Sequence, residues 1–391
     1  MSHVIAPSQR TAQLRVGLIG ANWGLTHIDA WRHVPGVKVA AICTSKRSTA
    51  EAAAQAHEID NAYWDADALL GNADLDIIDI TPRPSIRAPM ALAALRAGRH
   101  VIHPLPLALD LAGARELLTA QRGSGKIAMV ENLHRHSPEF MQARAMIDAG
   151  MLGEVHTIHA GVRTGILLGQ ASDYPYAWTT QRSSGASALR NFGAHLLHAL
   201  IWLFGDVSSV AANTRVNLPR VQFTDASSIV NETEDSASLL LQYASGASGT
   251  MDVSWCTPAG EGFVIDATGT AGRLILKAEG LGPRRASLAF ARAMDKQFAN
   301  VSIDNSYRLV PDAPHGDTVE SLAIMCLRMA AAVRGESARN AAPNYTEAFK
   351  VMQIIELAYQ AHAQHSWIRV EDHSRAARRT AKRSSAAGQL D

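Results

Sequence analysis

Arg15-Val16-Gly17-Leu18-Ile19-Gly20-Ala21-Asn22-Trp23-Gly24 passes from an apolar run into a glycine-bearing turn, and residues 25–33 then carry helical spacing. Strand, glycine turn and helix in that order open a βαβ unit of the kind that cradles a dinucleotide. The first glycine permits the tight turn, and the amides at the helix start face a pyrophosphate. The loop departs from the GxGxxG pattern: Gly20 takes the first position, Asn22 the second, and Gly24 the third with one residue deleted. Asparagine tolerates a left-handed backbone better than most residues, so the turn is expected to survive. Gly20, Asn22, Trp23 and Gly24 are therefore the first candidate cofactor-binding residues; the competing reading is a loop that only packs strand on helix.

Outward from this stretch, strands are expected at 37–43, 76–80, 100–102 and 126–131, with helices at 48–57, 85–97 and 110–121. Alternation at this spacing predicts a Rossmann-type, doubly wound parallel sheet. After Gly150 the pattern changes. Strands at 155–162, 237–243, 247–255, 262–268 and 273–277 follow one another with glycine turns and few helices, which predicts a mostly antiparallel open sheet with one face covered. Helices are expected at 188–204, 318–333 and 345–363, the last two returning to pack on the first domain. The chain then divides into a disordered start (1–13), a dinucleotide-binding domain (14–135), a substrate and oligomerisation domain (136–371) and a disordered basic tail (372–391).

Bulk composition narrows the class. At 391 residues the chain exceeds what one core usually serves. A net charge of +1 and 19% charged residues give no dominant field for nucleic acid or an anionic membrane. No apolar run approaches the ~20 residues of a membrane span. Cys43, Cys256 and Cys326 are odd in number and far apart, which fits a reducing compartment, and residues 1–13 lack the apolar core of a signal peptide, so a cytoplasmic location is expected.

Chemistry is expected at Arg99-His100-Val101-Ile102-His103-Pro104-Leu105-Pro106-Leu107-Ala108, a buried strand running into a proline-bracketed turn at the end of the sheet. Several separate segments then resemble one family in order and spacing: VGLIGANWG, DIIDITP at 76–82, AALRAGRHVI before the turn, MIDAGMLGEV at the crossover, SGASALRNFGAHLLHALIWLFG, EDSASLLLQYASGASGTM and ATGTAGRLIL. Together they resemble the Gfo/Idh/MocA superfamily of NAD(P)-dependent oxidoreductases. The resemblance implies a Glu-Lys-Pro turn near the nicotinamide, where this chain has Pro104-Leu105-Pro106. It implies an aspartate four residues before a helix histidine and another three residues after it, where this chain has Asn191, His195 and His198. In lacking the lysine, and in its CTSKRSTAEAAA stretch, the sequence is similar to the subgroup around the galactose-regulon repressor.

The residues themselves suggest roles. No acidic residue follows the second strand to meet a ribose 2′-hydroxyl; Ser45, Lys46 and Arg47 would hold a 2′-phosphate, which favours NADP(H), with NAD(H) as the alternative. Thr81, Pro82 and Pro104 should border the ribose and nicotinamide. Arg83 and Arg87 stand ready for an anionic substrate group. Leu105 cannot move a proton, so His195 is the expected acid or base, with Asn191 orienting substrate and His103 a further candidate from the opposite domain. Tyr174, Tyr176, Trp178 and Arg182 would wall a ring-shaped substrate, joined by His198. No metal site is expected, since His134, His136, His195 and His198 lack an accompanying carboxylate or thiolate set. The expected activity is oxidation of a hydroxyl, or reduction of a carbonyl, on a small cyclic compound by a homodimer or homotetramer assembled through the second sheet. A redox-silent dinucleotide sensor and a lyase or hydrolase with a tightly held cofactor are the alternatives.

Overall fold

Apolar runs flanked by turns pair side by side as six parallel strands: β1 (Leu14–Ile19), β2 (Val37–Cys43), β3 (Asn61–Tyr63), β4 (Ile77–Ile80), β5 (His100–Pro104) and β6 (Ala128–Glu131). The computed structural model describes residues 13–280, 282–336 and 343–370. The stretches expected to be disordered, 1–13 and 372–391, lie outside the described residues apart from Gln13. Strand order is β3-β2-β1-β4-β5-β6, so β1 sits where the order reverses. That switch point is where an open α/β sheet leaves a crevice. The crossovers are α1 (Trp23–Arg32), α2 (Arg47–Ala56), α3 (Ala66–Leu70), α4 (Pro84–Arg96) and α5 (Leu111–Ser124), and α6 (Pro138–Asp148) follows the sheet.

The second sheet has nine strands around β7 (Val155–Arg163). After α7 (Ala194–Phe204) come β8 (Val207–Arg215), the small hairpin β9 (Arg220–Gln222) and β10 (Ser228–Val230), then β11 (Ser236–Tyr243), β12 (Ser248–Ser254), β13 (Gly262–Gly269), β14 (Gly272–Glu279), β15 (Arg284–Arg292) and β16 (Ala299–Asn300). After α8 (Thr318–Arg334) and α9 (Tyr345–Gln364), β17 (Ile368–Arg369) pairs with β8 and closes the order β16-β15-β14-β13-β7-β12-β11-β8-β17. Only β7 and β12 run parallel; the other neighbours are antiparallel. Period-2 burial shows one face inward: on β11, Ala237, Leu239, Leu241 and Tyr243 are buried while Ser238 is exposed and Leu240 is 48% exposed. The inner face is covered by α6, α7 and α9.

One difference from the sequence expectation bears on the site. The helix expected at 188–204 is divided, beginning as a π turn at Leu189–Gly193 in which Gly193 N–H reaches back five residues to Ala188 O at 2.9 Å before α7 continues. A widened turn of this kind re-aims side chains and recurs at functional sites. The last two helices return to the first domain, α8 packing on α1 and α9 on α5, and α9 also packs on α7 and β8. Pro343 O accepts from Val130 N–H at 2.9 Å, so the chain entering α9 covers the open edge of β6.

Candidate active site

The turn after β1 is built around Gly20. Its φ is +100°, and a Cβ there would lie 2.5 Å from Thr81 Oγ1, so any side chain would displace the end of β4. Gly24 is tight for the same reason, with an added Cβ 2.8 Å from Leu18 and 3.0 Å from Thr81. Asn22 departs from expectation: its φ is −84°, and Gly20 alone takes the left-handed strain of the loop. Asn22 makes no side-chain cap, so the first amides of α1 remain for an anion. A bare glycine turn and an uncapped helix start suit a dinucleotide pyrophosphate.

Beyond this turn, the strand ends and the second domain enclose a cavity of about 230 Å³. On the first-domain side it is lined by Trp23, Thr81, Pro82, Pro104, Leu105 and Glu131, with Pro84 and Arg87 from α4. Opposite stand Ile166, the loop residues Tyr174, Tyr176, Trp178 and Thr179, the π-turn pair Asn191 and Phe192, then His195 of α7 and Trp255. A larger, shallower depression of about 860 Å³ lies on the outer surfaces of α4 and α5, bordered by leucines and the exposed Arg96–Glu116 ion pair. It contains none of the strand-end groups, so the smaller cavity is where chemistry can be placed.

The π turn brings Asn191 and His195 onto the same wall. Arg190 anchors it, donating to Leu109 O at 3.0 Å and pairing with Glu356 of α9 at 2.5 Å. His195 is buried, and its Nδ1 has no hydrogen-bond partner among the described residues. Burial pushes its pKa down to about 4, with Glu131 opposing that shift and Arg87 adding to it. A neutral imidazole at pH 7 is free to accept a proton. Arg87 is buried too, donating from Nη1 to Pro82 O at 2.7 Å and from Nη2 to Pro106 O at 2.9 Å, so it clamps the strand-end turns together. Burial lowers its pKa to about 10, which leaves it charged.

Behind Glu131 lies a buried polar chain. Trp23 Nε1 donates to Glu131 Oε2 at 3.0 Å, and His27 Nε2 stands 3.3 Å from the same oxygen in an ion-pair contact not aligned for a hydrogen bond. His27 Nδ1 meets Asp79 Oδ2 at 2.9 Å, and Trp31 Nε1 donates to that oxygen at 2.8 Å. Burial works against charge on His27, but Asp79 and Glu131 outweigh it and hold its pKa up at about 10. Burial likewise works against ionisation of Glu131, yet His27, His195 and the Trp23 indole hold it below the usual carboxylate range. At neutral pH this is a carboxylate–imidazolium–carboxylate chain with one end on the cavity.

Other expected site residues lie elsewhere. His103 faces the interior, with Nδ1 2.8 Å from Pro104 O and its ring against Tyr345 of α9; burial and Arg87 push its pKa down to about 3. Its strand is covered by α9, which removes it from the cavity wall. His198 is buried one turn beyond His195, beside Arg135 and His134, and does not line the cavity. Arg83 is exposed at the start of α4, and Arg182 is exposed and tied to the backbone of Glu232 at 3.2 Å. Ser45, Lys46 and Arg47 lie at the end of β2, where Arg47 pairs with Glu51 at 2.7 Å and stacks 5.0 Å over Trp64. Among the described residues no three His, Cys, Asp or Glu are grouped to hold a metal ion, and no helix is long and apolar enough to cross a membrane.

The strand-end cavity, the glycine turn beside it and the second sheet that closes over it give the chain the architecture of a two-domain, dinucleotide-dependent oxidoreductase. Residues 14–132 match the model described as oxidoreductase family, NAD-binding Rossmann fold, and residues 140–275 match the GFO/IDH/MocA C-terminal domain. The chain belongs to the Gfo/Idh/MocA family of NAD(P)-dependent oxidoreductases. It is 31% identical over 283 residues to a D-apiose dehydrogenase of Paraburkholderia graminis, covering 71% of each chain. It is 25% identical over 301 residues to an inositol 2-dehydrogenase of Salmonella typhimurium, covering 76% of this chain and 82% of that one. A levoglucosan dehydrogenase solved with NADH and levoglucosan shares the fold at a TM-score of 0.82 and 21% identity, over 92% of this chain and all of that one.

Among the lining residues absent from the sequence candidates, which include Ile166, Thr179, Phe192 and Trp255, Glu131 is the ionisable one. Its signal was a carboxylate closing the apolar run Ile127-Ala128-Met129-Val130, matched by Asp79 inside Ile77-Ile78-Asp79-Ile80. A lone acid within a buried strand needs a partner, and His27 on the neighbouring helix supplies it.

Proposed function

We propose that the protein oxidises a ring hydroxyl of a small cyclic, sugar-like compound, with His195 taking the hydroxyl proton. The observation that carries this reading is the placement of a buried, neutral His195 and of Asn191 in one aromatic-walled cavity beside the glycine turn. When bound, NAD(P) supplies the hydride acceptor. Asn191 would hold the substrate hydroxyl and Trp178, Tyr174 and Trp255 its ring faces, while Leu105 and Pro104 exclude water from the nicotinamide side. The relatives named for apiose, inositol and levoglucosan support a cyclic polyol or anhydrosugar as the substrate class.

Lys46 and Arg47, with no acid at the end of β2, favour NADP(H); NAD(H) is the alternative if Arg47 keeps its pairing with Glu51. The exposed face of the second sheet, which carries Leu240 on β11, supports a homodimer or homotetramer, and the three unpaired cysteines support a cytoplasmic setting. Native mass spectrometry of the purified protein should show a bound dinucleotide and identify it. His195→Ala should then lower kcat about 10²- to 10⁴-fold against a cyclic polyol while the dinucleotide still binds. Unchanged turnover in that variant would remove His195 from the role.

A further inference from the structure

Glu131 is the one acidic side chain on the cavity wall among the described residues, and the mechanism above leaves it without a task. It is 1% exposed, and Oε2 is taken by Trp23 and His27. Oε1 makes no hydrogen bond among the described residues. The next residue fixes its place relative to α7, because Asn132 Nδ2 donates to His195 O at 3.0 Å. The end of β6 is thereby tied to the backbone of the proposed acid–base residue.

We propose that Glu131 is the charge partner of His195, stabilising the imidazolium that forms during turnover, with His27 and Asp79 as positioning residues that keep Glu131 ionised. This rests on His195 being the proton acceptor. In oxidation of a ring hydroxyl, the hydroxyl proton would pass to a ring nitrogen of His195 and the O–H electron pair would become the second C–O bond, with a bound oxidised dinucleotide supplying the acceptor for the hydride that leaves the carbon. The positive charge so created on His195 appears in a water-poor cavity, where a fixed carboxylate is worth far more than in solvent. The proton then leaves for solvent and the neutral imidazole returns.

The other charged or titratable groups facing His195 do not substitute for Glu131. Arg87 carries charge of the wrong sign and is committed to two carbonyls, burial holds His134 and His198 neutral, and burial raises the pKa of the Tyr174 and Tyr176 phenols on the same wall, keeping them uncharged. Behind Glu131, an imidazolium between two carboxylates prevents either from taking a proton to relieve repulsion. A buried ionic chain of this kind seldom adds stability over apolar packing. Its value lies in the charge it presents at the open end.

The test follows the His195 ring by 15N NMR in dinucleotide-free protein from pH 8 down to the onset of acid unfolding, in wild type and Glu131→Gln. Wild-type His195 should begin to protonate within this range, whereas in the variant its resonances should stay those of a neutral ring. With a cyclic polyol that turns over, kcat should fall about tenfold or more while KM changes less than about twofold. An identical His195 titration in the folded variant would overturn the proposal. Should Glu131→Gln not fold, His27→Gln serves instead: Glu131 then loses the cation that holds its carboxyl low, and the His195 titration should shift from that of wild type. An unchanged His195 titration there would also refute it. A shifted titration with no turnover of any cyclic alcohol would instead count against the function proposed above, leaving the charge coupling intact.

Discussion

His27 and His195 are both buried imidazoles, and the structure drives them to opposite protonation states. His27 sits between two carboxylates and keeps its proton; His195 faces one carboxylate across a cavity and one guanidinium, and loses it. Their effects on stability have opposite signs. His27 has a folded pKa above its ordinary 6.5, so its contribution is complete below pH 6.5 and is lost as pH rises toward about 10. His103, His134, His136, His195 and His198 are all held below 6.5 by burial, so their contribution is complete above it and is lost on acidification. Each destabilises the folded chain as pH falls below 6.5. The melting temperature should therefore be highest near pH 7, falling at pH 5 as the buried neutral histidines take up protons and at pH 9 as His27 loses its own, measured by circular dichroism at constant ionic strength; equal values at pH 7 and pH 5 would contradict the burial of this group. The residue types at these positions were legible in the sequence, but their environments were not. The chain cannot state that α9 covers His103, because that contact joins residues 242 positions apart.

Among elements, those with long apolar periodicity were readable and those that depend on neighbours were not. Strand 37–43 was read to the residue. The three-residue β3, the five-residue α3 and the edge strands β16 and β17 carry too little pattern to be seen without the strands they pair with. α6 follows a proline and has a mixed face, so the crossover concealed it. The π turn before α7 was equally hidden, since its sequence is indistinguishable from that of a regular helix, yet it sets which residues reach the cavity. α9 shows what did lie in the sequence unread: Asn344 accepts from Thr346 N–H and Glu347 N–H at 3.0 and 3.1 Å, and Glu347 accepts from Asn344 N–H at 3.1 Å, a reciprocal cap. Glu347 also pairs with Arg135 at 2.7 Å, joining this cap to the end of the first sheet. Asn344→Ala should destabilise the protein by about 1 kcal/mol in urea titration, with the m-value unchanged. Loss below a few tenths would mean that the cap is satisfied by water.

For the whole molecule, the order of strands and the periodicity of the last two helices led to the expectation of two sheets and of helices returning to the first domain, whereas the seat of α9 on β8 of the second sheet was not legible. Helices α8 and α9, after the second sheet in sequence, lie on α1 and α5 in space. A fragment of residues 14–135 should therefore expose the apolar faces those helices cover, among them Val16, Trp31 and Ile77, now buried with Leu322 and Met325. It is expected to aggregate or to lack a cooperative transition in calorimetry, while residues 13–370 melt in one step. A soluble, cooperatively folded 14–135 fragment would show that the first sheet is self-sufficient.

The bond from Val130 N–H to Pro343 O carries a further consequence. Strand β6 is the rim of a parallel sheet, and a bare rim of backbone donors and acceptors invites pairing with another chain. Here the guard is supplied by a segment synthesised more than two hundred residues later. Until translation reaches it, the nascent chain carries an unguarded rim, and slow synthesis between β6 and α9 should raise the yield of misassembled protein.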